Sequence, residues 1–364
     1  MTTTSAPDER SSVAMTEEAY GALRASAALW AGTSVLITNQ RGRILLQRVS
    51  YRSTRLLPGG AVDKGESPAQ GAARELEEEL GLTATVTHGL AVDWVSPAGR
   101  TTSPAIKFPG ELLHVFDGGV WDEDQIAAIR TAPGEIEDIE FAEPADLPAL
   151  MSPGDARRTL AALRARINGA GPVFLEDGLP LSPTVLDRVG ALRTARARHH
   201  LPFHPLSPPG DLTVRQSWVW AFAPDGRVLV LLDPDTGAAC LPGGTPEPED
   251  DGDPTATAVR ETREEDAAEF AGIRYVGYLS DPDDPCARVR YAAVLTCLGP
   301  APVDPAIGRI HVRILATPEQ TLELFDWGPS AARQLEAVHQ ARVLLGIPKA
   351  AHQPVTELVG SLSW

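Results

Sequence analysis

Apolar positions early in the chain fall into short runs of strand-like period, broken by turn residues. TSVLIT (33–38) and RILLQRV (43–49) flank NQRG, and aliphatic, β-branched runs around such a turn predict a hairpin. The loop LLPGGAVDKGES (56–67) follows and opens onto a helical stretch from Pro68 to Leu80. Further strands are predicted at 84–95, 111–117 and 135–142. Helices are predicted at 122–130 and 153–167, the second from Leu160, Leu163 and Ile167 at helical spacing.

The same order recurs. SWVWAFA (217–223) and RVLVLLD (227–233) flank PDG, and ACLPGGTPEPEDDGDP (239–254) leads into the helical run 255–270. Strands are expected at 274–280 and 288–297, and helices at 317–325 and 330–345. Leu57-Pro58-Gly59-Gly60 and Leu241-Pro242-Gly243-Gly244 mark the repeat, which is a duplicated domain rather than a short-period solenoid. The expected division is a tail and short helix at 1–28, a first domain at 29–168, a connector at 169–212 ending in HHLPFHPLSPPGD, a second domain at 213–348 and a tail at 349–364. His199, His200 and His204 belong to that connector rather than to a metal tract, since no Cys, Asp or Glu stands close by in sequence.

Charge sharpens the picture. Of 364 residues, 49 are Asp or Glu and 32 are Lys or Arg, a formal net charge of −17. That balance argues against a nucleic-acid polymer as partner, because such binding draws on clustered Lys and Arg. No apolar run is long enough to span a membrane, and the N-terminus MTTTSAPDERSSVAMTEEAY has no signal-peptide pattern. Cys240, Cys286 and Cys297 form no zinc spacing, so reduced thiols and a cytoplasmic location are expected. The excess acid is concentrated: residues 60–82 hold six acids against two bases, and residues 244–268 nine against two.

In Arg74-Glu75-Leu76-Glu77-Glu78-Glu79 the carboxylates of Glu75, Glu78 and Glu79 share one helix face at i, i+3 and i+4. Like charges so placed repel, and a hard divalent cation removes the conflict by taking several carboxylate oxygens together with substrate phosphates. Gly59 and Gly60 allow close backbone approach and offer a carbonyl to the same ion, while Arg74 orients neighbouring carboxylates.

Residues 60–82 read Gly60, five residues, Glu66, seven residues, then Arg74-Glu75-Leu76-Glu77-Glu78-Glu79-Leu80-Gly81-Leu82. This resembles the complete box of the Nudix hydrolase superfamily, GX5EX7REUXEEXGU. The resemblance implies an α/β fold: two tandem α/β/α sandwiches with mixed sheets and a loop-helix-loop catalytic box. It implies Mg²⁺-dependent cleavage, with Mn²⁺ as substitute, of a diphosphate bond in a nucleoside diphosphate derivative, either a nucleotide or a nucleotide sugar such as ADP-ribose. Gly60, Glu75, Glu78 and Glu79 would hold the metal. Glu66 would support them, and Glu78, Glu79 and Arg74 would serve catalysis. The general base is Glu78 or Glu79 within the box, or Glu135, which stands six residues before Phe141. Pro97, fifteen residues beyond Leu82, matches a position associated in the family with ADP-ribose pyrophosphatases.

The second box departs from the pattern. Glu261, Glu264 and Glu265 keep the carboxylate face and are the expected metal residues there. Two residues are inserted, however, so that Gly252 stands eight before Arg260. Thr262 replaces the aliphatic residue, and Ala267 replaces the glycine. No counterpart to Glu135 is evident around HVRILATPEQ, and the second domain is read as weakly active, inactive or structural. Arg48 and Arg55 ahead of the glycine loop are candidates to grip phosphates, and Trp94 to stack on a base; each also has a plain surface or core reading. A homodimer or an intramolecular pseudo-dimer is the expected assembly. Two rivals remain: a diphosphate-binding sensor without turnover, and a prenyl-diphosphate isomerase, which would need a Cys absent from the first domain.

Overall fold

The computed structural model describes residues 29–83, 86, 88–98, 108–194, 201–281, 283–304, 308–325 and 330–364. The tail and short helix expected at 1–28, and His199 and His200, lie outside the described residues. The chain is mixed α/β and builds two mixed sheets, one from each repeat.

The first sheet contains β1 (Trp30–Asn39), β2 (Ile44–Val49), β3 (Gly89–Val95), β4 (Glu111–Trp121), β5 (Ile136–Ala142), β6 (Val173–Glu176) and β7 (Leu179–Pro180). Their order is β5-β2-β1-β4-β3-β6-β7, with β1/β4 and β3/β6 parallel and the other pairs antiparallel. The expected first hairpin forms because the Asn39 side chain accepts from the N–H groups of Arg41 (2.9 Å) and Arg43 (3.1 Å), tying down the turn. Helix α1 (Pro68–Leu80) starts at a Ser67–Gln70 capping box with Pro68 at its first position, and stops at Gly81 in the left-handed region (φ 69°). Its apolar stripe, Ala72, Leu76 and Leu80, packs on Val35, Ile37 and Leu45. Helix α2 (Glu123–Ala127) is shorter than the predicted 122–130. Helices α3 (Leu147–Leu150) and α4 (Pro153–Asn168) follow β5, and α4 covers the opposite face of the sheet.

The stretch 169–212, expected as a connector, carries structure of its own. β6 and β7 add a hairpin to the edge of the first sheet across Asp177-Gly178, both at positive φ (51° and 80°). An Asp-Gly pair between two short strand-like runs is a hairpin signal that the flanking glycines and prolines obscured. Helix α5 (Val185–Arg188) follows, and β8 (Phe203–His204) joins the second sheet.

That sheet runs β16-β15-β10-β9-β14-β13-β8. It comprises β9 (Thr213–Phe222), β10 (Val228–Leu232), β13 (Ala268–Ser280), β14 (Cys286–Leu298), β15 (Val312–Ala316) and the tail strand β16 (Thr356–Glu357), with β11 (Ala239–Cys240), β12 (Gly243–Gly244) and β17 (Leu362–Ser363) paired alongside. Helix α6 (Pro254–Asp266) is the counterpart of α1. The predicted helix 255–270 ends four residues early, because Ala267 takes φ 50° and Ala268 already pairs with Leu298 in β13/β14. Helices α7 (Pro318–Phe325) and α8 (Ala331–Leu344) complete the second repeat.

The repeats share a core. Leu36, Ile44, Leu46, Leu160 and Ile167 belong to the same buried cluster as Phe222, Val228, Val230 and Ile314. Gln320, on α7, donates from Nε2 to the carbonyls of Ile167 and Gln353, each at 2.8 Å. Asn168 accepts from the N–H of Val355 at 3.0 Å.

Candidate active site

The loop after β2 and helix α1 place the box carboxylates around Arg74. Its guanidinium donates to Glu66 (3.0 and 3.2 Å), Glu75 (3.0 Å), Glu78 (2.8 Å) and the carbonyl of Ala61 (2.9 Å). One planar fork thus fixes three carboxylates and the glycine loop, a task for which a lysine lacks donors. Gly60 lies against Glu75: a side chain on Gly60 would begin 2.4 Å from Glu75 Oε1. Gly59, at φ 139°, packs equally tightly against the Thr33 carbonyl. Glu79 is buried at 2 % exposure and accepts from Gln47 Nε2 (2.6 Å) and the Gly59 N–H (2.8 Å).

The electrostatics record crowding. Burial pushes the Glu79 carboxyl up to about 8, against the hydrogen bonds from Gly59 and Gln47, and the charges of Glu75 and Glu135 push the same way. Glu75 is raised by burial, with Arg74 opposing and Glu78 and Glu135 adding to the rise. Glu66 is held below the usual carboxylate range by its hydrogen bonds from Arg74. Glu135 therefore stands within electrostatic reach of the box, its carbonyl accepting from the Ser50 N–H at 3.1 Å. Among the described residues no three His, Cys, Asp or Glu side chains are already grouped as a cation cage. Glu78 turns instead to Arg74, and Glu79 to Gln47 and Gly59. The donor set is nonetheless all oxygen and mutually repelling, with Glu75 packed against Gly60, which suits a hard divalent cation.

The second repeat rebuilds the clamp with a different acid. Arg260 donates to Asp250 (3.0 Å twice), Glu261 (3.0 Å), Glu264 (3.1 Å) and the Thr245 carbonyl (3.1 Å). Asp250 thus does what Glu66 does, and the two-residue insertion moves the acid away from the fixed spacing that pointed to Gly252. Gly244 lies under Glu261 as Gly60 lies under Glu75, with the carboxyl carbon 2.5 Å from where a side chain would begin. Differences lie deeper. Strand pairing puts Leu231 where Gln47 holds Glu79, and Glu265 shares a hydrogen bond with Glu261 instead. Burial and the charges of Asp304 and Glu261 push Glu265 up to about 8. Counting back along the register, Arg309 stands where Glu135 precedes β5, and the acid that reaches Glu265 from this side is Asp304.

The remaining predicted residues are not drawn into the box. Arg48 pairs with Glu137 at 3.0 Å, and Arg55 pairs with Asp138 (2.9 Å) and Glu140. Trp94 lies across Gly110 on the far side of β1, where its ring would be 2.3 Å from a side chain at that glycine. His204 bonds Ser280 at 2.9 Å and stacks on Tyr278, which explains it without a metal. Gln47 and Asp250 were not legible as site residues. The signal for Gln47 was a polar residue inside the apolar run ILLQRV; Asp250 gave no signal under fixed spacing.

Comparison with known proteins agrees with this geometry. Residues 29–163 match the model of the NUDIX domain. The chain is 37% identical over 109 residues to an RNA pyrophosphohydrolase of Brucella abortus, covering 27% of this chain and 59% of that one. It is 40% identical over 94 residues to an ADP-ribose pyrophosphatase of Haemophilus influenzae, covering 25% and 38%. The chain thus spans 59% of the length of the first curated relatives it matches. Solved structures that resemble it include a UDP-X diphosphatase (22% identity, 44% of this chain and 75% of that chain, TM-score 0.34). Another is a MutT protein from Methanosarcina mazei Go1 (22% identity, 39% and 96%, TM-score 0.31).

Proposed function

The chain belongs to the Nudix superfamily through residues 29–163, and on that premise we propose that its first repeat hydrolyses a diphosphate bond in a nucleoside diphosphate derivative. The observation that carries this reading is the Arg74 clamp, which holds Glu66, Glu75 and Glu78, with Glu75 against Gly60, while Glu79 is fixed from behind by Gln47. Glu75, Glu78, Glu79 and the Gly60 carbonyl would hold Mg²⁺ or Mn²⁺. The bound ion neutralises phosphate oxygens and lowers the pKa of water. Arg74 keeps Glu75 and Glu78 oriented, Gln47 and Gly59 hold Glu79 in one rotamer, and Glu135 or a box carboxylate accepts a proton from the attacking water. Arg48, Arg55 and Trp94 remain candidates for contacts to the outer part of a substrate.

The second repeat keeps the Arg260 clamp, and with it Glu261, Glu264 and Glu265 as candidate metal residues. With Leu231 for Gln47, and with Asp304 well ahead of β15 where Glu135 directly precedes β5, its reading is a copy that binds without turnover and completes an intramolecular pseudo-dimer with 29–168. Incubation with Mg²⁺ and a panel of nucleotides, nucleotide sugars, ADP-ribose and a 5′-triphosphate RNA, with products identified by mass, tests the activity. Cleavage between phosphates of at least one small nucleotide is expected; no turnover with either Mg²⁺ or Mn²⁺ would favour the sensor reading. Cleavage of the RNA alone would overturn the expectation that the partner is a small molecule.

A further inference from the structure

We infer that Glu111 sets sugar specificity in the first repeat, its carboxylate accepting hydrogen bonds from the ribose hydroxyls of a nucleoside diphosphate whose phosphates lie at Gly60 and Glu75. The inference rests on the function proposed above and narrows its substrate class to ribonucleosides. Glu111 opens β4 opposite Trp30 and leans over Gly32 of β1. A side chain on Gly32 would begin 2.5 Å from Glu111 Oε1 and 3.6 Å from the Gly60 carbonyl oxygen. Gly60 in turn lies against Glu75. Two glycines on neighbouring segments therefore bring Glu111 up to the carbonyl that borders the box.

The Glu111 carboxylate is buried, at 7 % exposure. Contacts within the protein hold it in place, so it is oriented before substrate arrives. The second repeat shows what the fold by itself requires at this position. There the bulge lies in β9 and β14 runs on unbroken, so Cys286 stands for Glu111 and Gln216 for Gly32. Cys286 is buried, so the same strand pair closes without an acid. The Glu111–Gly32 arrangement accompanies the complete box and is absent from the altered one. A lone carboxylate has too few oxygens to hold a cation by itself, whereas its two oxygens match the paired hydroxyls of a ribose.

The test is calorimetric titration of the full chain, in Ca²⁺, with ADP, 2′-deoxy-ADP and 3′-deoxy-ADP. It reads affinity whether or not the protein turns a substrate over. The wild type is expected to bind ADP about tenfold more tightly than either deoxy form, the worth of one hydrogen bond to a charged acceptor. Glu111→Cys, the residue the second repeat carries at this position, and the isosteric Glu111→Gln are expected to bring the three affinities within about twofold. Ca²⁺ half-saturation should stay unchanged, with both variants confirmed folded by a single cooperative melting transition. Equal affinities in the wild type, no ADP binding, or a preference that survives both variants would overturn the inference. So would a shifted Ca²⁺ half-saturation, which would make Glu111 a cation ligand. Ribose-selective binding without turnover of any substrate would overturn the hydrolase reading and leave this one standing.

Discussion

At the scale of the residue, the site is organised by two side chains that are not themselves acidic, Arg74 and Gln47. Arg74 spreads one guanidinium over Glu66, Glu75, Glu78 and a loop carbonyl. Arg74→Lys keeps the charge and loses the fork, and is expected to lower kcat about tenfold or more while raising the Mg²⁺ needed for half-activity. Unchanged Mg²⁺ dependence would contradict the clamp. Glu79 yields a pH prediction. Its carboxyl titrates near 8 in the fold, from an ordinary value of 4.5, so in between the folded chain keeps a proton that the unfolded chain has released. That preference favours folding at low pH and is lost as pH rises through about 8. Metal-free protein should therefore melt at progressively lower temperature from pH 6 to about pH 9, and Glu79→Gln should flatten the slope. Because Glu265 is raised to about 8 as well, a double variant should flatten it further. A wild-type melting temperature independent of pH in this window would show that neither carboxyl is buried as described.

At the scale of the element, α1 and α6 show one plan executed with different residues. Both end in the left-handed region, at Gly81 (φ 69°) and Ala267 (φ 50°). A Cβ there is strained, so Ala267→Gly is expected to stabilise the chain by about 1 kcal/mol. Gly81→Ala should destabilise it by more than that, since its methyl would also press on the Arg130 carbonyl oxygen at 3.0 Å. Urea unfolding of the two variants checks both signs. These helices also show what could be read from the sequence. The i, i+3, i+4 carboxylates, the Pro-Gly-Gly loop and the capping residues are local, and local spacing survives in sequence. Asp250 was hidden because a two-residue insertion in a loop changes register without changing where the side chain ends. The β6/β7 hairpin was hidden by the composition around it, although Asp177-Gly178 marked its turn. Gln47 and Glu111 act through contacts between distant segments, and no spacing rule reports such contacts.

At the scale of the whole molecule, the second repeat supports the first mechanically. Helix α4 lies in a core shared with β9, β10 and β15, and the buried amide of Gln320 joins its last turn to the C-terminal segment. Unfolding should accordingly be a single transition. Gln320→Ala, which leaves two carbonyls without that donor, should cost about 1–3 kcal/mol. Two separated transitions would contradict the shared core. Chemistry should be unevenly divided between the two clamps, one complete with Gln47 and Glu135, the other with Leu231 and Arg309 in the corresponding places. The most direct measurement compares kcat, at saturating Mg²⁺ and on whichever nucleotide substrate is cleaved fastest, for wild type, Glu79→Gln and Glu265→Gln. Glu79→Gln should lose at least about 100-fold, with Glu265→Gln within about twofold of wild type. Wild-type turnover in Glu79→Gln, or its loss in Glu265→Gln alone, would contradict the assignment of catalysis to the first repeat.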